Sequence, residues 1–257
     1  MAKVGKMSRF NLLLCLLVAL SVISMVSANP GILAAVINCV PLTPCVGTNN
    51  NDNINGTNQN DDMKGLGGKD KMFGNDNAAG TLDYMFGGDG NDDINGGHGA
   101  NFIEGDAGND RIAGGDGGDT ISGGNGSDII DGGPDVDGLL GAWGKDTLIG
   151  GTEDDMLQGS QDNDNLDGGG GNDILLGDGG WAGNTVDRSD FGADIIKGGP
   201  GDDKLYHGLY EGSSGGLPTS SDFFKDKLDC GDGNDEAFVN VNTDHDEFIN
   251  CEIVHKG

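Results

Sequence analysis

The sequence is poor in positive charge and in the large side chains that build a conventional core. Aromatic residues make up 5% of the 257 positions, whereas 51 positions are glycine. The 14 Lys and Arg residues are outnumbered by 43 Asp and Glu, which leaves a formal net charge of −29. A charge of this size opposes compaction unless bound cations neutralise it. It also excludes nucleic acid as a partner, because the phosphates would be repelled.

Several catalytic and metal signatures are absent as well. The four histidines form no H-E-x-x-H zinc motif, and the cysteines form no C-x-x-C. No acidic triplet continues into an EF-hand loop. Residues 212–216 satisfy the nucleophile motif G-x-S-x-G, but no helix-forming pattern follows them, so we interpret them as a flexible loop.

A nine-residue repeat takes the place of such motifs. Residues 87–176 divide without remainder into ten frames of nine positions, columns one to nine. Column one is always glycine, and columns two and four are mostly glycine. Column eight holds five Ile and then five Leu, from Ile94 to Leu175. Column six holds Asp92, Asn101, Asp110, Asp119, Asp128, Asp137, Asp146, Asp155, Asp164 and Asp173.

These columns favour a cation-dependent fold over permanent disorder. Acidic, glycine-rich chains are usually disordered, because they have little apolar surface to bury. With 35% hydrophobic residues, however, ten hydrophobic residues in ten frames would arise by chance with a probability on the order of 10⁻⁵. Asp oxygens beside glycine-turn carbonyls form the kind of oxygen set that calcium prefers. We therefore predict an ordered chain with calcium and a disordered one without it.

The frame G-G-x-G-x-D-x-aliphatic-x resembles the repeats-in-toxin, or hemolysin-type, calcium-binding nonapeptide. The resemblance implies an all-β fold, a right-handed parallel β-roll (β-solenoid) with two frames per turn. It also implies that Asp side chains and turn carbonyls of neighbouring turns share multiple calcium ions. One edge would carry Asp92, Asp110, Asp128, Asp146 and Asp164, and the other Asp83, Asp119, Asp137, Asp155 and Asp173.

The calcium ligands implied in this way belong to the glycine columns and to column six. The glycines are Gly88, Gly90, Gly97, Gly99, Gly108, Gly115, Gly117, Gly124, Gly126, Gly144, Gly169 and Gly171. The acids are the ten of the two edges together with Asp194 and Asp203 from frames after the regular block. Asp135, Glu153 and Asp162 replace glycine in column four, and the sites beside them and beside Asn101 are the least secure.

Frames outside the regular block are less uniform. Three earlier frames start at Gly47, Gly56 and Gly65 and place Asp52, Asp61 and Asp70 in column six. Their glycine columns are degraded, with Thr48 and Thr57 among the replacements, so we expect weak or no calcium binding there. Residues 74–86 and 177–197 are single frames with four and twelve extra residues, which predicts surface loops. Residues 207–229 break the period, and we interpret them as a loop.

The amino-terminal residues have the three-part form of a secretory signal. Lys3, Lys6 and Arg9 precede an apolar run, and Val26 and Ala28 occupy the small-residue cleavage positions. We predict a secreted, extracellular or cell-surface protein with no membrane span after cleavage. The alternative is an uncleaved amino-terminal anchor, although the run is near the lower length limit for a span.

Export predicts that the remaining cysteines form disulfides. Cys39, Cys45, Cys230 and Cys251 are an even set in an oxidising compartment, and three pairings are possible. We favour the local pairs Cys39 with Cys45 and Cys230 with Cys251, because each would clamp one end of the array.

The predicted organisation leaves no room for a separate catalytic domain. We predict a signal at 1–28, an amino-terminal cap at 29–46, the repeat β-roll with loop insertions at 47–206, and a loop, last repeat and carboxy-terminal cap at 207–257. We therefore expect no enzymatic activity. The predicted function is a calcium-binding repeat protein that folds and stiffens on binding calcium. The alternatives are an adhesin or ligand-binding module contacting cell-surface or matrix components and, less favoured, a polysaccharide-acting enzyme.

Overall fold

The computed structural model describes residues 34–41, 43–75, 82–178, 193–206, 225–239 and 246–256. Within these ranges the regular structure consists of strands, and no helix is long and apolar enough to cross a membrane. Several predicted features lie outside the described residues. They are the signal at 1–28, the central parts of the inserted loops (76–81, 179–192 and 207–224), and the G-x-S-x-G sequence at 212–216.

The strands form two parallel sheets, and the chain alternates between them strand by strand. The odd sheet consists of β1 (Val36–Asn38), β3 (Asn53–Asn55), β5 (Lys71–Phe73), β7 (Asp93–His98), β9 (Arg111–Asp116), β11 (Ile129–Gly133), β13 (Thr147–Thr152), β15 (Asn165–Gly170), β17 (Ile195–Pro200), β19 (Lys227–Asp232) and β21 (Glu247–Ile249). The even sheet consists of β2 (Cys45–Val46), β4 (Asp62–Gly67), β6 (Tyr84–Asp89), β8 (Phe102–Ala107), β10 (Thr120–Asn125), β12 (Gly138–Trp143), β14 (Met156–Gln161), β16 (Ile174–Asp178), β18 (Lys204–Tyr206), β20 (Glu236–Val239) and β22 (Ile253–Lys256). The predicted all-β parallel solenoid is therefore confirmed.

Each strand follows from the second half of one frame. Column eight turns inward and columns seven and nine turn outward, since successive side chains of a strand alternate between its faces. The glycines of the next frame then reverse the chain toward the opposite sheet. Two frames complete one turn, so Ile121 of β10 pairs with Ile103 of β8 and Leu139 of β12.

The core is a stack of the column-eight side chains between the two sheets. These side chains are almost fully buried in every described frame. They are Ile54, Met63, Met72, Met85, Ile94, Ile103, Ile112, Ile121, Ile130, Leu139, Leu148, Leu157, Leu166, Leu175, Ile196, Leu205, Leu228 and Ala237. Because one aliphatic residue per frame fills this stack, the chain builds a continuous core with few aromatic residues.

The insertions leave the register of the sheets unchanged. Met63 pairs with Met85 and Leu166 pairs with Ile196, across the two longer frames at 74–86 and 177–197. One expectation was wrong, because residues 225–229 belong to a frame and not to a loop. Leu228 lies in the core and pairs with Ile196. The sequence K-D-K-L-D keeps the acid-x-aliphatic spacing of columns six to eight, although the preceding glycine columns are lost.

Both ends of the coil are closed by disulfides. Cys39 and Cys45 have Cα atoms 5.2 Å apart, and those of Cys230 and Cys251 are 5.1 Å apart. The two local pairings are thus confirmed. The terminal strands β1, β2, β21 and β22 continue the sheets in parallel register, so the segments next to these disulfides are further turns of the same coil.

Candidate metal sites along two acidic rows

Acidic side chains form one row along each edge of the coil, directly before the strands of one sheet. The odd row precedes the odd strands and consists of Asp52, Asp70, Asp92, Asp110, Asp128, Asp146, Asp164, Asp194, Asp226 and Asp246. The even row precedes the even strands and consists of Asp61, Asp83, Asn101, Asp119, Asp137, Asp155, Asp173, Asp203, Asp235 and Glu252. All twelve acids predicted as ligands lie in these rows, and the ten that were assigned to an edge lie on that edge.

One carboxylate oxygen of each rung is used to hold the next turn. The backbone N–H of Asp92 donates to Oδ1 of Asp110 at 2.7 Å, and the N–H of Asp110 donates to Oδ1 of Asp128 at 2.7 Å. The same bond repeats along both rows. The acids of the rows that precede Asp246 in the chain are at most 4% exposed. The Oδ1 atoms therefore act as structural acceptors between turns.

Through most of both rows the second carboxylate oxygen is buried and has no hydrogen-bond partner among the residues that the structure describes. This holds for Oδ2 of Asp70, Asp92, Asp110, Asp119, Asp128, Asp137, Asp146, Asp155, Asp164, Asp173, Asp203 and Asp235. A buried polar atom without a partner costs about 1–3 kcal/mol, and a charged one costs more. Such a regular series of unpaired oxygens requires a bound cation or proton.

Glycine at column one lets these oxygens approach the turn backbone. A Cβ atom built on Gly87 would lie 2.5 Å from Oδ2 of Asp92 and 2.7 Å from the carbonyl oxygen of Gly105 in the next turn. A Cβ on Gly105 would lie 2.5 Å from both Oδ2 of Asp110 and the carbonyl oxygen of Gly123. The carboxylate and the neighbouring carbonyl therefore converge over a glycine that has no side chain.

Glycines of columns two and four adopt a left-handed backbone conformation. All twelve that were predicted as ligands have φ between 94° and 147°, a region that side-chain-bearing residues rarely occupy. Asp135, Glu153 and Asp162 adopt positive φ at column four without glycine, with φ of 77°, 73° and 70°. Oε2 of Glu153 accepts hydrogen bonds from the Thr152 hydroxyl at 2.6 Å and from the Asp135 N–H at 3.0 Å, which help to hold its turn.

Burial of the rows shifts the proton affinity of their carboxylates. Loss of solvent, with a smaller contribution from nearby acids, raises the pKa of Asp110, Asp119, Asp146 and Asp155 to about 7. The pKa of Asp164 rises to about 9 for the same reasons. Hydrogen bonds from the backbone of the preceding turn act in the opposite direction but do not compensate. Mildly acidic solution without a cation thus favours protonation of the rows.

The donor set fits calcium. Carboxylate Oδ2 atoms and backbone carbonyls are hard oxygen ligands, and calcium binds six to eight of these. No group of three His, Cys, Asp or Glu side chains converges on one point within the described ranges. This follows from the repeat, which supplies one acid per frame, so the remaining oxygens at each site would have to come from the turn backbone.

Sequence reasoning missed three residues that continue the rows near the carboxy terminus. Asp226 donates its N–H to Oδ1 of Asp246 at 3.1 Å, and Asp235 donates its N–H to Oε2 of Glu252 at 3.0 Å. Each of the three stands two positions before an inward apolar residue, Leu228, Phe248 or Val254. That acid-x-apolar spacing could have identified them, although their frames lack the glycines that mark the repeat.

An apolar groove lies on the outer face of the even sheet. It has a volume of about 400 Å³ and is lined by Phe102, Thr120, Leu140 and Met156, with Gly138 leaving the gap between the side chains. Tyr84 and Phe102 stand at its end with ring centroids 6.1 Å apart. Glu104 is the charged side chain among the lining residues.

The fold and the two rows define a class of protein, a parallel β-solenoid whose turns present oxygen ligands to cations. The family model of the RTX calcium-binding nonapeptide repeat matches residues 46–78, 82–112, 104–148, 149–180 and 188–209. These matches cover more than half of the sequence, and the chain belongs to this family of calcium-binding repeat proteins. No curated protein matched the chain in a sequence comparison.

Proposed function

We propose that this protein is a secreted or cell-surface structural module that orders and stiffens when calcium fills its two acidic rows. The buried, unpaired Oδ2 atoms carry this proposal. Each one makes the metal-free coil costly at neutral pH, and bound calcium would supply the positive charge that they lack. Folding and calcium binding would then be a single event.

In this proposal the chain divides the work between its columns. The Oδ1 atoms accept hydrogen bonds from backbone N–H groups and so keep neighbouring turns in register. The Oδ2 atoms and the column-two and column-four carbonyls hold the ions. The column-eight stack supplies the apolar core. Calcium acts here as a fixed double charge that neutralises the rows.

The two disulfides and the signal-like amino terminus support export. Calcium outside cells is abundant enough to fill weak sites. We propose the same organisation as above for the whole chain, with a cleaved signal at 1–28 and the repeat coil as the bulk of the mature protein. We also propose that the repeat coil has a structural and not a catalytic role, since its inward columns form the apolar core and the two acidic rows.

Far-ultraviolet circular dichroism during a calcium titration tests the proposal. The purified protein should pass from a coil spectrum in chelator to a strand spectrum in calcium, and magnesium at the same concentration should not replace calcium. Magnesium demands a smaller octahedral shell and dehydrates reluctantly. A spectrum that stays disordered at 10 mM calcium, or that is already strand-rich in chelator at neutral pH, would refute the proposed role of the rows.

A second candidate function, a ligand-binding module, is favoured by the groove beside Tyr84 and Phe102. The Phe102 ring beside Thr120, in a lining without a cationic side chain, suits an uncharged polysaccharide chain. Co-sedimentation with an insoluble neutral polysaccharide tests this. Phe102→Ala should abolish binding and Ile195→Ala, an exposed apolar residue of the odd sheet, should not. Equal sedimentation of both variants would exclude the groove as the binding face.

A further inference from the structure

Asn101 interrupts the even row with an amide, and its side chain is paired differently from row acids such as Asp137 and Asp155. Its Oδ1 accepts the Asp83 N–H at 3.2 Å, as an Asp Oδ1 would. Its Nδ2, however, donates to the carbonyl oxygen of Gly99 at 2.9 Å. That carbonyl belongs to a column-four glycine, one of the groups predicted to face an ion.

The amide nitrogen occupies the place that the unpaired carboxylate oxygen takes elsewhere. A Cβ built on Gly96 would lie 2.7 Å from Nδ2 of Asn101, and one built on Gly105 would lie 2.5 Å from Oδ2 of Asp110. The turn itself is otherwise regular, because Gly97 and Gly99 have φ of 94° and 102°. At this frame the side chain supplies a hydrogen-bond donor in the place where frames such as those of Asp92, Asp110 and Asp137 have an unpaired acceptor.

Two frames at the amino-terminal end reach the same result by another route. Thr48 donates both its N–H, at 2.6 Å, and its hydroxyl, at 2.9 Å, to Oδ2 of Asp52. Thr57 does the same for Asp61, at 2.6 Å and 3.0 Å. Both carboxylates therefore have partners for the oxygen that is unpaired in the regular frames.

We propose that Thr48, Thr57 and Asn101 supply hydrogen-bond donors in the place of calcium, so that their three frames fold without a bound metal ion. The inference rests on the proposed calcium-dependent folding of the other frames. It adds that the frames differ in whether they need calcium. The amino-terminal end of the coil does not need calcium to fold. Asn101 separates Asp61 and Asp83 from the longer run of even-row acids. The turns that need no calcium are thus ordered first, and the calcium-dependent turns then stack on them.

The substitution Asn101→Asp tests the proposal at the frame where only one group differs. It replaces the donor with an acceptor inside an otherwise regular glycine turn, so the variant should bind at least one more calcium ion per chain. Asn95→Asp is the matched control, since Asn95 is exposed on the outer face of β7 and gives the same charge change. The bound ions are counted by native mass spectrometry of the purified protein in calcium.

Asp110→Asn provides the reciprocal variant if Asn101→Asp fails to fold. It should convert a regular frame into one like that of Asn101, keep the strand spectrum in calcium, and bind at least one ion fewer than the wild type. An unchanged ion count in folded Asn101→Asp, or in Asp110→Asn, overturns the inference. A wild type that binds no calcium overturns the proposed function instead, so the two failures are distinguishable.

Hydrogen exchange of the wild type in chelator gives an independent readout. The backbone N–H of Asp52 donates to Asp70 and that of Asn101 donates to Asp119. Peptides covering residues 47–61 should remain more protected than peptides covering residues 141–155, whose frames have unpaired Oδ2 atoms. Equal loss of protection in both segments contradicts a calcium-free start to the coil.

Discussion

Replacing Asp146 with Asn should weaken the calcium-bound protein without weakening the chelated one. Oδ1 of Asp146 accepts the Asp128 N–H at 2.8 Å, and an Asn side chain can keep this bond. Oδ2 is buried and unpaired, and the substitution replaces it with a donor that cannot bind a cation. The variant thus loses a calcium ligand while the contact between turns is retained.

The expected magnitude follows from linkage. An ion that binds the folded state at about 100 times its dissociation constant contributes about 2.7 kcal/mol, and that contribution disappears with the site. In chelator, the loss of an unpartnered buried carboxylate oxygen should offset any packing cost, since such an atom costs about 1–3 kcal/mol. The calcium-dependent part of the free energy of unfolding should therefore fall by about 2.7 kcal/mol.

Urea unfolding followed by circular dichroism measures both terms, in calcium at neutral pH and in chelator at about pH 5, where protonation of the rows should restore the fold. The control is Asp131→Asn, which makes the same charge change at an exposed position of β11 and should shift stability by at most about 0.5 kcal/mol. A variant as stable as the wild type in calcium would refute the assignment of Asp146 as a ligand. Equal losses in calcium and in chelator would show an ordinary structural role and would refute it as well.

Four further results are expected. In chelator, strand content should increase as pH falls from 8 to 4, because burial raises the pKa of carboxylates such as Asp110 to about 7. The resulting stabilisation of the folded state is fully present below the ordinary pKa of 3.8 and is lost as pH rises through about 7, and a pH-independent spectrum would contradict this. Gly105→Ala should raise the calcium concentration needed for folding, because its Cβ would meet Oδ2 of Asp110 and the next carbonyl, and an unchanged titration midpoint would argue against the convergence of these oxygens. Ile121→Ala should cost about 2–5 kcal/mol in urea unfolding with calcium, since it opens a cavity in the column-eight stack. Replacing Cys230 and Cys251 with Ser should destabilise the calcium-bound protein by about 2–4 kcal/mol in thermal unfolding, and no change would mean that this disulfide does not constrain the chain.

The repeat made most of the fold predictable, because each frame specifies its own turn, acid and core residue. Ile94 and Leu175 could be placed in the core, and Asp92 and Asp110 on one edge, from their columns alone. The frame around Leu228 was missed because its glycines are absent, although the acid and aliphatic positions persist. A repeat that is recognised by its turn glycines is not detected in a frame that keeps only the residues of its strand.

The pairing of each acid could not be predicted from its column. Asp61 and Asp137 occupy the same column in the same row, yet Thr57 satisfies Oδ2 of Asp61, whereas Oδ2 of Asp137 has no partner among the described residues. The difference depends on whether the turn residue four positions earlier points a donor at the carboxylate. Likewise, the sequence marks Asn101 as a departure, but only the structure shows that its amide binds the Gly99 carbonyl.

The bonds that join successive turns run between residues eighteen positions apart wherever no insertion intervenes. Every regular turn therefore presents the same surface to the turn after it as it receives from the turn before. Deletion or duplication of eighteen residues within 87–176 would leave both new neighbours with a partner of the kind they already have. Deletion or duplication of nine residues would instead move every later strand to the opposite sheet. If it preceded the groove, it would also move the groove to the opposite side of the coil. The molecule can thus change its length in whole turns during evolution, or by design, without a new kind of contact.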